Sequence, residues 1–181
     1  MTAKTGTTPK AQEQPTPANA ESVHDFEVTD IDGRAVDLSR FAGKVLLVVN
    51  TASKCGFTPQ YEEFEALHQA YAPQGFAVLG FPANNFGNQE PGTDEQIKAF
   101  CTERFDVTFP MFSKISVKGA DKAPLYVFLT ESDPRFAGEI TWNFNKFLIG
   151  PDGHILARYP SKTKPMGPEI TAAVRDALAG R

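Results

Sequence analysis
The run Val45-Leu46-Leu47-Val48-Val49 is apolar at every position, with none of the alternating polar residues of a half-exposed strand. A strand of that pattern must be covered on both faces, as in the middle of a parallel or mixed sheet. Phe57, Tyr61, Phe64, Leu67 and Tyr71 then recur at helical spacing, which predicts a helix over 59–72 with Pro59 near its start. Phe76 to Phe81 reads as a second buried strand. Strand, helix and strand in so short a stretch make a right-handed crossover unit.

Phe26–Thr29 and Val36–Leu38 flank Asp32-Gly33, a dipeptide suited to a tight hairpin turn. Thr93 and Gln96 have the spacing of a capping box, and behind them Ile97, Phe100, Cys101 and Phe105 share one helical face. Pro124 opens a further helix with Leu125, Phe128 and Leu129 inward. Phe147–Ile149 and His154–Leu156 bracket Gly150-Pro151-Asp152-Gly153 as a second hairpin, and Ile170, Ala173, Val174, Ala177 and Leu178 form a closing helix behind Gly167 and Pro168. The order predicts an α/β chain of thioredoxin-like architecture: a mixed central sheet flanked by helices, with an N-terminal β-hairpin.

Residues 1–24 are mostly Thr, Ala, Pro and Gln, with Met1 and Val23 as their only large aliphatics. That is too little apolar surface to offset the entropy of ordering, so a disordered tail is expected at 1–24 and a single domain at 25–181. The tail has neither an apolar leader core nor the arginines of a transit peptide, and a cytoplasmic location is expected. With 18 Lys and Arg against 22 Asp and Glu the chain is slightly acidic, a poor footprint for nucleic-acid binding. Two cysteines cannot make a disulfide framework, and with His24, His68 and His154 they match no zinc spacing, so neither metal nor cofactor is expected. No apolar run approaches the roughly 20 residues of a membrane span.

Cys55 follows the buried strand and precedes the helix of 59–72. The unpaired N–H groups at a helix start and the adjacent Lys54 both favour a thiolate, and the small polar neighbours Ser53 and Gly56 argue against an inert core cysteine. A dithiol oxidoreductase would need a second Cys three residues on, where Thr58 stands. None of the three histidines lies in a motif that would serve a cysteine protease. Attack on an O–O bond needs no such base, only donors that hold the anion and orient the peroxide. Cys101 is the other thiol, and spacing leaves core packing beside Phe100 and Phe105 as open as a chemical role.

The string Asn50-Thr51-Ala52-Ser53-Lys54-Cys55-Gly56-Phe57-Thr58 resembles the nucleophile motif of the glutathione peroxidase family. Gly80 to Gly92, which includes Phe81-Pro82-Ala83-Asn84 and Asn88-Gln89-Glu90-Pro91, resembles its second signature, and Trp142-Asn143-Phe144-Asn145-Lys146-Phe147-Leu148 its third. The three occur in the family's order, and the resemblance runs from about Phe26 to the closing helix. It implies a thioredoxin fold, reduction of hydrogen peroxide and organic hydroperoxides, and a part in the response to oxidative stress. It makes Cys55 the peroxidatic nucleophile, with Gln89, Trp142 and Asn143 on the other active-site positions; their amides and indole N–H are suitable donors. It also makes Cys101 the resolving thiol, which would condense with a Cys55 sulfenic acid to a disulfide that thioredoxin reduces. Many thiol-type relatives have a further Cys where this chain has Ala83. The stretch from Leu129 to Trp142 is short, which by resemblance goes with a monomer or loose dimer and favours thioredoxin over glutathione as reductant.

Three other readings stand beside this one. A peroxiredoxin would carry Thr at position 52, where this chain has Ala52. A copper-delivery or partner-binding module would need a second thiol near Cys55. A peroxide sensor, passing its oxidation to a partner protein, has the same thiol requirement as a scavenger. The spacing of Gly87, Pro91 and Gly92 ahead of the Cys101 helix also predicts a mobile segment at roughly 84–105.

Overall fold
The computed structural model describes residues 16–180. Strands β1 (Glu27–Thr29) and β2 (Ala35–Asp37) form an antiparallel hairpin, closed by Gly33 at φ +84°. The main sheet has the order β4-β3-β5-β6, with β3 (Val45–Thr51), β4 (Phe76–Pro82), β5 (Lys146–Ile149) and β6 (Ile155–Tyr159). β3 pairs parallel with β4 and antiparallel with β5, and β5 pairs antiparallel with β6. The crossover and the second hairpin expected from the sequence are therefore both present in one mixed sheet.

Burial on both faces of β3 follows its residue pattern. Leu46 and Val48 enter one apolar cluster with Leu79, Phe81, Phe147 and the inward residues of helix α3 (Pro124–Glu131). Val45, Leu47 and Val49 enter a second cluster on the opposite face, beneath α1 (Gln60–Tyr71), α2 (Asp94–Phe105) and α4 (Pro168–Ala179). Alternate side chains of a strand point to opposite faces, so one strand organises both layers. With both faces closed, β3 and β4 lead to the surface only in the loops beyond them, at Lys54 and at Asn85.

The expected tail divides. Residues 1–15 lie outside the described residues. Val23, by contrast, is fully buried in a short 3-10 turn, Val23–Asp25, capped by Ser22, and its N–H donates to the Gly153 carbonyl at 3.0 Å. Ala20 packs on the same cluster. One large aliphatic is enough to anchor this segment because the 150–153 turn offers a surface for it, a tertiary contact that local composition does not carry. Among the described residues no helix is long and apolar enough to cross a membrane.

Of the α2 residues only Ile97 and Cys101 are buried, while Phe100 and Phe105 pack on Tyr61 from the helix edge. The start of α2 is fixed by both halves of the capping box, Gln96 N–H donating to Thr93 Oγ1 (3.2 Å) and Thr93 N–H to Gln96 Oε1 (3.0 Å). Thr93→Ala removes the first of these and is expected to destabilise by about 1 kcal/mol. A lower urea midpoint with faster amide exchange across 94–105 checks this; unchanged exchange there contradicts it.

Candidate active site
β3 ends at Thr51, and the chain turns through Ala52, Ser53 and Lys54 to Cys55. Thr58 holds this turn closed. Its hydroxyl donates to the Ala52 carbonyl (2.9 Å) and accepts from the Cys55 N–H (2.9 Å). Thr58 stands where a dithiol oxidoreductase has its second Cys, and its work here is structural. The Cys55 Sγ accepts from the Phe57 N–H at 3.4 Å, and the residue is 8% exposed. The donor belongs to the turn, since α1 starts only at Gln60. The expectation of a thiol on the first amides of α1 is thus corrected in detail: a nearer peptide dipole supplies the contact.

The second loop leaves β4 at Pro82 and brings Gln89 back to the Cys55 turn, where the Lys54 N–H donates to the Gln89 carbonyl (3.0 Å). Gly87 (φ +62°) and Asn88 (φ +52°) are both left-handed, which sends the chain sharply back. A Cβ at Gly87 would lie 3.4 Å from both the Gln89 side chain and the Trp142 ring, an ordinary contact, so the positive φ rather than space calls for glycine there.

The third segment precedes β5. Asn50 Nδ2 donates to the Trp142 carbonyl (3.0 Å), and the Phe144 N–H donates back to the Asn50 carbonyl (2.7 Å). This tie draws the Trp142–Asn143 turn to the end of β3. Asn143 is fully buried, and its Nδ2 donates to Gln89 Oε1 at 2.9 Å. The Trp142 indole packs on Phe86, ring centroids 5.7 Å apart.

The structure therefore joins Gln89 to Asn143 directly, packs Trp142 beside Gln89 at Gly87, and links Cys55 to them through the backbone of Lys54. No hydrogen bond runs from the Cys55 Sγ to Gln89, Trp142 or Asn143 among the described residues. Gln89 Nε2 and the Trp142 indole N–H have no protein acceptor there, which leaves two donors open beside the Cys55 turn. Asn143 Oδ1 is buried without a donor. The grouping can hold an oxygen anion while a thiol attacks its neighbouring oxygen.

Cys101 faces elsewhere. It is 2% exposed, and no disulfide joins it to Cys55. Its thiol lies against the Tyr61 hydroxyl, though without a hydrogen bond of good geometry. Burial pushes the Cys101 thiol up to about 11, with Tyr61 pulling it down and the Glu90 charge adding to the rise. One cleft, about 310 Å³, runs between the Cys55 turn and α2 past Ser53, Lys54, Glu90, Ile97 and Phe100; another, about 550 Å³, lies by the start of β4, at Phe76 and Ala77, and has Cys101 in its wall.

Sequence reasoning passed over Asn50, Thr58 and Glu90. Asn50 and Thr58 carry a weak signal, a polar residue at a strand end and a Thr three residues after the thiol. Glu90 is 1% exposed, and burial raises its carboxyl above the usual range, with Ser53 and the charges of Lys114 and Lys54 opposing. Lys114 Nζ also donates to the Glu90 carbonyl (3.1 Å) and the Gly92 carbonyl (2.6 Å), which pins the loop behind Gln89.

Because Cys101 titrates near 11, on the order of one molecule in a thousand carries its thiolate at pH 8. Iodoacetamide labelling of Cys101 in the folded, reduced protein is expected to be slow at pH 8 and to rise about tenfold per pH unit up to that value. Peptide mass spectrometry reads this directly. Rapid, pH-independent labelling of Cys101 would contradict its burial.

The glutathione peroxidase family profile matches residues 23–130. A Schizosaccharomyces pombe protein named glutathione peroxidase-like peroxiredoxin is 51% identical over 143 residues, covering 78% of this chain and 90% of its own. The Escherichia coli protein named thioredoxin/glutathione peroxidase is 43% identical, covering 88% of this chain and 98% of its own. For the fold alone, a thioredoxin-family thiol:disulfide interchange protein from Chlorobium tepidum superposes with a TM-score of 0.65 at 18% identity, over 93% of this chain and 99% of its own. The chain belongs to the glutathione peroxidase family and is a thiol peroxidase of thioredoxin-like fold.

Proposed function
We propose that Cys55 reduces hydrogen peroxide and organic hydroperoxides, that Cys101 resolves the oxidised enzyme, and that thioredoxin, in preference to glutathione, closes the cycle. The Cys55 thiolate attacks the terminal peroxide oxygen. The O–O bond breaks, the departing alkoxide takes a proton to leave as alcohol (water, when the substrate is hydrogen peroxide), and Cys55 becomes a sulfenic acid. Gln89 Nε2 and the Trp142 indole N–H donate to the oxygens as charge moves onto the leaving one. Asn143 holds the Gln89 amide in place through its oxygen, which turns the Gln89 NH2 toward the substrate.

Condensation with the Cys101 thiol then forms the S–S bond and releases water, and two thiols of reduced thioredoxin return both cysteines to the reduced state while becoming a disulfide. The observation that carries this reading is the Gln89–Asn143 pair, with open donors, on a loop tied to the turn that bears Cys55. The cleft past Ser53, Lys54 and Glu90, the sequence neighbours of Cys55 and Gln89, leaves room for organic hydroperoxides as well as hydrogen peroxide.

Disulfide formation needs the two Cα atoms within about 7 Å, and the Cys101 thiol points at Tyr61. In this reading α2 opens after the first oxidation, releasing Ile97 and Cys101 and the packing of Phe100 and Phe105 on Tyr61. The name of the Escherichia coli relative carries both thioredoxin and glutathione, and the preference for thioredoxin rests on the short stretch from Leu129 to Trp142.

Cys55→Ser is expected to abolish peroxide consumption, and residual activity at the wild-type level would refute the nucleophile. Cys101→Ser is expected to consume about one equivalent of peroxide and then stop under thioredoxin and its reductase. Continued cycling would leave Cys101 with packing alone. Thioredoxin and glutathione compared at equal thiol concentration decide the reductant. A stable mixed disulfide with one protein and no turnover would favour a peroxide sensor.

A further inference from the structure
Lys146 is fully buried at the start of β5, paired in register with Val49 on one side and Tyr159 on the other. No carboxylate lies within ion-pair distance of it among the described residues. Instead its ammonium donates to three main-chain oxygens: Phe144 at 2.8 Å, Ser161 at 3.0 Å and Pro160 at 3.5 Å. An ammonium has three protons, and here each has a carbonyl. The charge also sits 5.7 Å from the centre of the Phe64 ring. Burial lowers its pKa to about 7 from an ordinary 10.5, with only the charge of Glu63 opposing. An uncharged side chain of similar length would fill the same space without that desolvation penalty.

What the ammonium holds is the turn that presents Trp142 and Asn143. Phe144 has φ +63°, an uncommon conformation for an aromatic residue. It is clamped from both sides, its N–H on the Asn50 carbonyl and its carbonyl on Lys146. Ser161 is the other anchor. Its carbonyl takes Lys146 and also Gln60 Nε2 (2.8 Å), from the start of α1. Its hydroxyl donates to the Asn143 carbonyl and accepts from Asn145 Nδ2 (3.0 Å). A continuous path thus runs from Lys146 through Ser161 to Asn143, and from Asn143 Nδ2 to Gln89.

We propose that Lys146 is a positioning residue for peroxide reduction, fixing the Trp142–Asn143 turn against Gln89 by tying the Phe144 carbonyl to those of Pro160 and Ser161. The inference rests on the reading that Gln89, Trp142 and Asn143 serve Cys55. A loose turn leaves the Cys55 thiol intact but sets its donors adrift, and small displacements of positioned groups lower rates steeply.

The test uses the full chain with Lys146→Met, Ser161→Ala and Asn143→Ala. Oxidation by hydrogen peroxide is followed in stopped flow by the fluorescence of Trp142, the single tryptophan. Alkylation of Cys55 by iodoacetamide, which needs no donors for a leaving oxygen, is followed alongside. Lys146→Met is expected to slow oxidation about tenfold or more while alkylation stays within about twofold. Oxidation at the wild-type rate in folded Lys146→Met overturns the proposal, and so do equal losses in both reactions. Should Lys146→Met fail to fold, Ser161→Ala decides, since it keeps the carbonyl that Lys146 uses and deletes the hydroxyl's links to Asn143 and Asn145: slowed oxidation with unchanged alkylation supports the proposal, a wild-type rate overturns it. Asn143→Ala separates the two levels. If it oxidises normally, the site reading falls; if it is slow while the Lys146 and Ser161 variants are normal, only the role of Lys146 falls.

Discussion
Burial of β3 on both faces is the constraint from which the site follows. Its alternating side chains close two separate apolar layers, so its polar end, Asn50 and Thr51, is committed to loop contacts. Asn50 meets that demand twice, with its side chain on the Trp142 carbonyl and its own carbonyl on the Phe144 N–H. The thiol, the second loop and the third segment are gathered where the central strands end, which is where open α/β sheets place their ligands. Distant parts of the chain meet there because each has buried backbone groups to satisfy.

The two cysteines are held in contrasting ways. Cys55 sits in a turn fixed by the Thr58 hydroxyl, with a peptide N–H aimed at its sulfur. Cys101 is on α2, its thiol pressed among aromatics and kept protonated by burial. That division suits a cycle in which only one thiol should meet oxidant first. Burial shields the second, and a thiol pushed up to about 11 reacts poorly while it stays out of water. The loops around Cys55 are tied to one another by hydrogen bonds, while α2 is held by its capping box, by Asp94 on Ser113 and Lys114, and by Phe100 and Phe105 against Tyr61.

Much of the framework was legible because it rests on local pattern. The uniform apolar run at 45–49, the helical spacing at 57–71 and the Thr93–Gln96 box each became the expected element, with boundaries shifted by a residue or two. The motif strings placed Gln89 and Asn143 in one site, and their hydrogen bond brings them together, yet no periodicity predicts a contact between residues so far apart in the chain. Val23 was misjudged because its burial depends on the 150–153 turn. Lys146 was hidden for the same reason, since a lysine beside a strand start looks like a solvated charge until its three carbonyls are seen around it.

The central claim is that a peroxide-oxidised Cys55 is captured by Cys101. Peptide mapping after one equivalent of hydroperoxide, added to the fully reduced chain and quenched with an alkylating agent, addresses it most directly. One dominant cross-linked pair of peptides, carrying residues 55 and 101, is expected. Cys101 recovered alkylated, with Cys55 left as a sulfenic acid, would contradict it.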